Sequence, residues 1–139
     1  MSKPFVEPRW PDFAPAKPTG LLIVLAEFLE GLAPATKGLV SAALRPIPGP
    51  TAARNTFEII FFVTGHTGTL ITMAVVTMSL ATVFIDSGDG SDARFNGRFL
   101  KREKLLTWCR SFARWEETRI IVERLMLLAE RMAEEPDRW

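Results

Sequence analysis

The chain is nearly without the side chains on which most catalytic and metal sites depend. Its 139 residues include one Cys, Cys109, one His, His66, and no Tyr. A single cysteine excludes an internal disulfide, and one His with one Cys falls short of the ligand set of a structural zinc site. Neither a glycine-rich phosphate loop nor a Ser/His/Asp combination is present. The composition therefore predicts a protein that is not an enzyme and has no cofactor, metal or small-molecule substrate.

Neither sign of charge dominates the sequence. The 17 Lys and Arg residues against 16 Asp and Glu residues give a net charge of +1. Nucleic-acid-binding domains usually carry a basic patch, so nucleic acid is not an expected partner. The N-terminus has no apolar stretch of signal-peptide type, and its prolines would break a presequence helix. An uncleaved anchor, or removal of a leader before Met1, is expected instead.

Charged residues are absent from 27 consecutive positions, 59 to 85, and this run is the strongest structural signal in the chain. About 20 apolar residues in a helix are enough to cross a hydrocarbon core roughly 30 Å thick. The run therefore predicts a single-pass membrane protein whose transmembrane helix covers residues 51–86. More basic residues follow this span than precede it, which favours the C-terminal arm on the matrix or cytoplasmic side.

The remaining segments complete a predicted all-α fold. Five prolines make residues 1–18 an extended arm, and Thr19 can cap a helix from Gly20 to Leu32. Apolar residues recur at intervals of three and four after residue 93. The predicted segments are a proline-rich arm (1–18), short interfacial amphipathic helices with a second helix near 35–44 and a proline-rich break (19–50), the transmembrane helix (51–86), a polar turn (87–92) and a long amphipathic helix (93–139).

Small residues predict a helix-docking face on the span. Gly and Thr allow two membrane helices to approach closely, although both residue types are common in spans and the pattern has chance as its alternative. The predicted docking residues are Thr64, Gly65, Gly68, Thr69 and Thr72.

His66 lies within this predicted face. An ionisable side chain in a membrane span is a candidate functional residue. The alternatives are an interhelical hydrogen bond, a ligand for haem or a pigment, a proton relay and contact with a lipid headgroup. A haem held by two histidines would need its second ligand from another chain, since this sequence has no other His.

An aromatic stripe beside a basic cluster predicts an interface on the C-terminal helix. Trp residues favour the membrane interface, and Lys and Arg attract anionic lipid, whereas the acidic distal part of the helix favours a protein partner. The predicted interface residues are Trp108, Phe112, Trp115, Arg98, Lys101, Arg102 and Lys104.

By analogy with small subunits of similar organisation, these features predict a non-catalytic accessory, or supernumerary, subunit of an energy-transducing membrane complex. A mitochondrial ATP synthase or respiratory-chain complex would place it in the mitochondrial inner membrane. The expected partners are other subunits of that complex and an anionic phospholipid such as cardiolipin. The alternatives are a haem- or pigment-binding single-pass subunit that uses His66, and a free-standing membrane regulator that recruits a soluble partner.

Overall fold

The computed structural model describes residues 10–13, 20–47, 55–79, 82–86 and 97–135. Two helices precede a run of strands, and two longer helices follow it. The elements in chain order are α1 (Gly20–Glu30), α2 (Leu32–Ala35), β1 (Val40–Pro46), β2 (Thr56–Val63), β3 (His66–Ser79), β4 (Thr82–Asp86), β5 (Gly97–Phe99), α3 (Arg102–Arg114) and α4 (Glu116–Glu134). The polar turn predicted at 87–92 and all of the predicted N-terminal arm except residues 10–13 lie outside the described residues.

The described part of the uncharged run forms strands rather than a helix, so the predictions of an all-α fold and of a transmembrane helix over 51–86 are wrong. About half of the run is Val, Ile or Thr, whose branched Cβ atoms favour extended backbone. A turn at Thr64 and Gly65 reverses the chain between β2 and β3, and Gly65 has a φ of +82°. Val63 then pairs with His66 across the turn.

Within the described residues, no helix is both long enough and apolar enough to cross a bilayer. This finding contradicts the single-pass membrane protein and membrane localisation predicted from the sequence. The second short helix predicted near 35–44 is also corrected, because α2 ends at Ala35 and β1 begins at Val40.

The five strands form one antiparallel sheet in which every strand pairs with its neighbour in the sequence, in the order β1-β2-β3-β4-β5. Alternate residues on each strand point to the same face, so the register defines which side chains share it. Leu44 pairs with Ile59, and Ile59 with Ala74, on the face that carries the core. A bulge in β3 between Thr72 and Ala74 leaves Met73 as the extra residue, and its side chain joins the same core.

The opposite face of the sheet is also partly apolar. Ile60 pairs with Ala43 and with Thr72 on this face, and it is only 5% exposed although it is not part of the main core. Arg45 and Glu58 form an ion pair between β1 and β2 on the same face. Both faces of β2 are therefore buried to a large extent, which explains why its sequence lacks polar alternation.

The helices cover the core face of the sheet. Leu25 and Leu29, four residues apart on α1, are buried, as are Leu105, Trp108, Cys109 and Phe112 on α3 and Leu125, Ala129 and Met132 on α4. Phe112 is central to this core: its ring stacks on Trp108 with centroids 4.8 Å apart and meets the edges of Phe61 and Phe28 at 5.9 and 6.4 Å. The apolar periodicity of the C-terminal segment therefore marks the face that packs on the sheet.

The long helix predicted over 93–139 is divided into β5, α3 and α4. Trp115 separates the two helices with φ −70° and ψ 141°, an extended conformation that breaks the helical hydrogen-bond series. In α4, the backbone N–H of Arg119 makes the first helical hydrogen bond, and it donates to the Trp115 carbonyl oxygen at 3.0 Å. The chain therefore changes direction at Trp115, and the resulting corner faces α1 and α2.

Candidate functional site

A cavity of about 510 Å³ lies between α1 and α2, the sheet and the corner of α3 and α4. Its surface is mainly apolar and includes side chains from all three parts of the fold. Buried lining residues are Leu29, Phe61 and Phe112, and partly buried ones include Phe28, Leu32, Ala42, Val122 and Met126. The exposed lining residues Arg114, Arg119 and Glu123 form a polar mouth.

Two buried threonines line the cavity, and their hydroxyls are in opposite situations. Thr36 is 3% exposed, and its Oγ1 accepts the N–H of Val40 at 3.0 Å and lies 3.0 Å from the Leu32 carbonyl oxygen. Thr118 is 4% exposed, and its Oγ1 has no hydrogen-bond partner in the part of the chain that the structure describes. Because buried polar groups in proteins are nearly always paired, the Thr118 hydroxyl is a candidate contact for a bound molecule.

The charges at the mouth are unequally compensated. Arg119 lies 3.5 Å from Glu123 and 3.9 Å from Glu116, measured between guanidinium nitrogen and carboxylate oxygen. Arg114, in the last turn of α3, has no carboxylate within 4.0 Å among the described residues. Thr118 is the third residue of α4 and lies in its first turn, before Arg119, whose N–H donates to the Trp115 carbonyl. The described lining of the cavity therefore includes a buried threonine in the first turn of a helix and an arginine.

The predicted docking residues do not share a helix face. Thr64 and Gly65 form the turn between β2 and β3, whereas Gly68, Thr69 and Thr72 lie along β3. Thr69 stabilises the turn, because its Oγ1 donates to the His66 carbonyl at 2.7 Å and accepts the Val63 N–H at 2.8 Å. Thr64 shares a hydrogen bond of 2.7 Å with the Ser41 hydroxyl. The docking prediction required a transmembrane helix and is corrected with it.

His66 is exposed at the first position of β3. It lines a smaller cavity of about 350 Å³ together with Leu39, Val63 and Met132. No group of three or more His, Cys, Asp or Glu residues in the described ranges is arranged to hold a metal ion. A role for His66 as a haem or pigment ligand stays a prediction, and a ligand set would need groups from outside these ranges or from another molecule.

The predicted aromatic stripe lies mostly inside the domain. Trp108 and Phe112 are 8% and 3% exposed, and Trp115 is half-buried at the helix break. The basic residues predicted beside it, Arg98, Lys101, Arg102 and Lys104, are exposed. The Arg98 guanidinium carbon lies 5.9 Å from the centre of the Phe84 ring. Contact of these basic side chains with cardiolipin or with other subunits stays a prediction.

Sequence reasoning missed Thr118, Arg114 and the cavity that they line. One local signal was available, because the consecutive acids Glu116 and Glu117 are typical of the first turn of a new helix. That signal would have divided the long helix near Trp115. It would not have revealed the buried hydroxyl, because the burial of Thr118 depends on how the α3–α4 corner meets α1 and the sheet.

No protein-family model matches this chain, and neither a curated protein sequence nor a solved structure matches it. The function must therefore be inferred from the cavity and from the side chains that surround it.

Proposed function

We propose that this protein is a non-catalytic binding domain that holds a small, mainly apolar molecule in the cavity at the α3–α4 corner. The observation that carries the proposal is a cavity of about 510 Å³ that reaches the core and is lined by Thr118, whose buried hydroxyl has no partner among the described residues. Binding sites for small molecules typically measure about 300–1,000 Å³ and combine an apolar surface with a few polar groups. Both properties are present here.

The apolar surface supplies the driving force for binding. Phe28, Leu32, Val122 and Met126 line the cavity and are only partly buried by the protein itself. A ligand that covers them removes apolar surface from water, at roughly 25 cal/mol per Å². Methionine adds tolerance to ligand shape, because its unbranched side chain adapts to irregular surfaces.

Binding is favoured over catalysis by the placement of the titratable side chains. Those that line the cavity, Arg114, Arg119 and Glu123, are exposed at its mouth. Glu123 is the only carboxylate among the lining residues that the structure describes, and it lies 3.5 Å from Arg119. A general base is most effective when it is free and lies beside the reacting atoms. The proposal keeps the non-catalytic part of the sequence-based prediction and replaces a complex of membrane subunits with a small ligand.

A neutral fluorescent probe tests the proposal in the full-length protein. Titration with N-phenyl-1-naphthylamine, which becomes brighter in apolar surroundings, should give a saturable increase in fluorescence. Neighbouring alanines on β1 provide a matched pair of variants. Ala42 lines the cavity, whereas Ala43 pairs with Ile60 on the opposite face of the sheet.

Ala42→Phe should fill part of the cavity and weaken probe binding by about tenfold or more, which corresponds to about 1.4 kcal/mol. Ala43→Phe should leave probe binding close to that of the unmodified protein. Circular dichroism checks that both variants are folded. An absence of saturable binding, or equal loss in two folded variants, would refute a ligand site in this cavity.

A further inference from the structure

We infer that the ligand of this cavity is an amphiphilic monocarboxylate, with its apolar body against the aromatic and aliphatic lining and its carboxylate at Thr118 and Arg114. The inference rests on the proposed binding function and adds the chemical class of the ligand. Three features of the α3–α4 corner carry it: a buried hydroxyl and a guanidinium that have no partner among the described residues, and a helix N-terminus.

The Thr118 hydroxyl points to a hydrogen-bond acceptor. Thr118 is only 4% exposed and lines the cavity, and its Oγ1 has no partner among the described residues. A hydroxyl can donate one hydrogen bond, so a ligand oxygen that enters the cavity would satisfy it. Thr36 serves as the internal contrast, because its hydroxyl lines the same cavity and is already paired with backbone groups of Leu32 and Val40.

The charge distribution favours an acceptor that is an anion. Glu123 and Glu116 compensate the charge of Arg119, whereas Arg114 has no such carboxylate within the described ranges. The guanidinium group can donate two parallel hydrogen bonds to a carboxylate. Glu116 and Glu117, at the start of α4, are solvent-exposed and do not line the cavity. Among the described lining residues, two arginines and one glutamate are charged, a formal sum of +1 before the exposed Glu116 beside Arg119 is counted.

The helix N-terminus adds to the same preference. Thr118 belongs to the first turn of α4, a helix of 19 residues, and Arg119 makes the first bond back to Trp115. The N–H groups of a first helical turn carry partial positive charge and attract anions. Thr118 therefore places its unpartnered hydroxyl at the end of the helix that favours an anion, and the Arg114 side chain belongs to the same mouth.

The apolar body of the ligand would lie along the rest of the cavity. Phe28 and Leu32 from the N-terminal helices line the cavity of about 510 Å³ together with Val122 and Met126 of α4. Lengthening the chain of the ligand should strengthen binding by up to about fourfold per methylene until the cavity is filled. A medium-chain fatty acid has the required combination of one carboxylate and a flexible apolar chain.

Displacement of N-phenyl-1-naphthylamine from the full-length protein by decanoate, decanol and decylamine tests the inference. All three share the same chain, so the comparison isolates the head group. Decanoate should bind about tenfold or more tightly than decanol, and decylamine should bind most weakly. High salt should weaken decanoate binding and leave decanol binding nearly unchanged, because salt screens the exposed Arg114.

Thr118→Val should weaken decanoate binding about tenfold or more and leave probe binding intact. Arg114→Gln should weaken decanoate binding about threefold to tenfold at low salt. Matched controls lie on α3: Thr107→Val removes an exposed hydroxyl that bonds to the Glu103 carbonyl, and Arg110→Gln removes an exposed charge outside the cavity lining. Both controls should keep the decanoate affinity.

Each outcome has a separate meaning. Saturable probe binding with equal affinities for decanoate and decanol would overturn the carboxylate inference and leave the proposed function standing. Equal losses of decanoate affinity in Arg114→Gln and Arg110→Gln would show that the preference for a carboxylate is general charge attraction. That result would overturn the site at Arg114. Full decanoate affinity in folded Thr118→Val would remove Thr118 from the site. An absence of probe binding to the unmodified protein would refute the proposed function itself.

Discussion

Removal of the Thr118 hydroxyl should stabilise the ligand-free protein. Thr118→Val replaces the hydroxyl with a methyl group of similar size at a position that is 4% exposed and whose hydroxyl has no partner among the described residues. Leaving a buried polar group unpaired costs about 1–3 kcal/mol. We expect a gain near the lower end, about 1 kcal/mol, because Thr118 lines a cavity rather than a closely packed part of the core. Thr and Val have similar helix propensities, so the backbone adds little to the change.

Thr36→Val, at the same cavity, should destabilise the protein. Its hydroxyl accepts the Val40 N–H at 3.0 Å, and the substitution leaves that buried donor unpaired. The free energy of unfolding should fall by about 1–3 kcal/mol. Urea denaturation followed by circular dichroism measures both variants without ligand. For a chain of this size, a gain of 1 kcal/mol corresponds to a rise in Tm of about 3–5 °C.

Both substitutions replace Thr with Val. A difference in stability between the two variants therefore reports whether each hydroxyl has a hydrogen-bond partner in the free protein. A stabilised Thr118→Val that also loses decanoate affinity would indicate that the protein retains an unfavourable group because its ligand requires it. Destabilisation of Thr118→Val by as much as Thr36→Val would show that the Thr118 hydroxyl is already satisfied in the free protein. That result would refute the reasoning on which the ligand site depends.

Three further predictions concern the fold. Gly65→Ala should lower the free energy of unfolding by about 1 kcal/mol, because Gly65 has a φ of +82°. Gly68→Ala should be neutral or stabilising, because the added Cβ meets no atom within 4 Å. Urea denaturation compares the two variants. Burial raises the pKa of the Cys109 thiol from 9.0 to about 11. Because the thiolate is the reactive form, a thiol reagent near pH 8 should label the folded protein about a hundredfold more slowly than the unfolded protein. Equal labelling rates would contradict this prediction. Phe112→Ala should lower the free energy of unfolding by about 3–5 kcal/mol, because it removes the ring that contacts Trp108 and Phe61. A decrease below about 1 kcal/mol in urea denaturation would contradict the central place of Phe112 in the core.

The uncharged run shows why sequence periodicity alone misassigned the central segment. A half-buried strand alternates polar and apolar residues, but β2 is buried on both sides, with Ile59 fully buried on the core face and Ile60 5% exposed on the other. Without alternation, a series of buried strands has the same hydropathy as a membrane helix. The abundance of β-branched residues and the turn at Thr64 and Gly65 were the signals that favoured strands.

Local chemistry was sufficient for parts of the helical structure. The sequence predicted a helix from Gly20 to Leu32, and the structure has α1 over Gly20–Glu30, with residues 14–19 outside the described ranges. The apolar series that includes Leu105, Trp108 and Phe112 was predicted from its spacing, and these residues are buried in α3. Helical periodicity is contained within a few turns, so it can be read without knowledge of the partner surface.

The pairing of the strands and the candidate site were decided only by the tertiary structure, whereas Glu116 and Glu117 gave a local signal for the break at Trp115. Nothing in the residues around Thr118 distinguishes a buried hydroxyl from an exposed one, because its burial requires α1, the sheet and the α3–α4 corner to come together. The same convergence makes the Arg114 side chain part of a cavity mouth rather than an isolated surface charge. The sequence by itself determined which residues carry apolar surface and at what spacing the buried residues of α3 recur, since both depend on neighbours in the chain. The cavity depends on contacts between residues far apart in the sequence, and only the assembled fold supplies them.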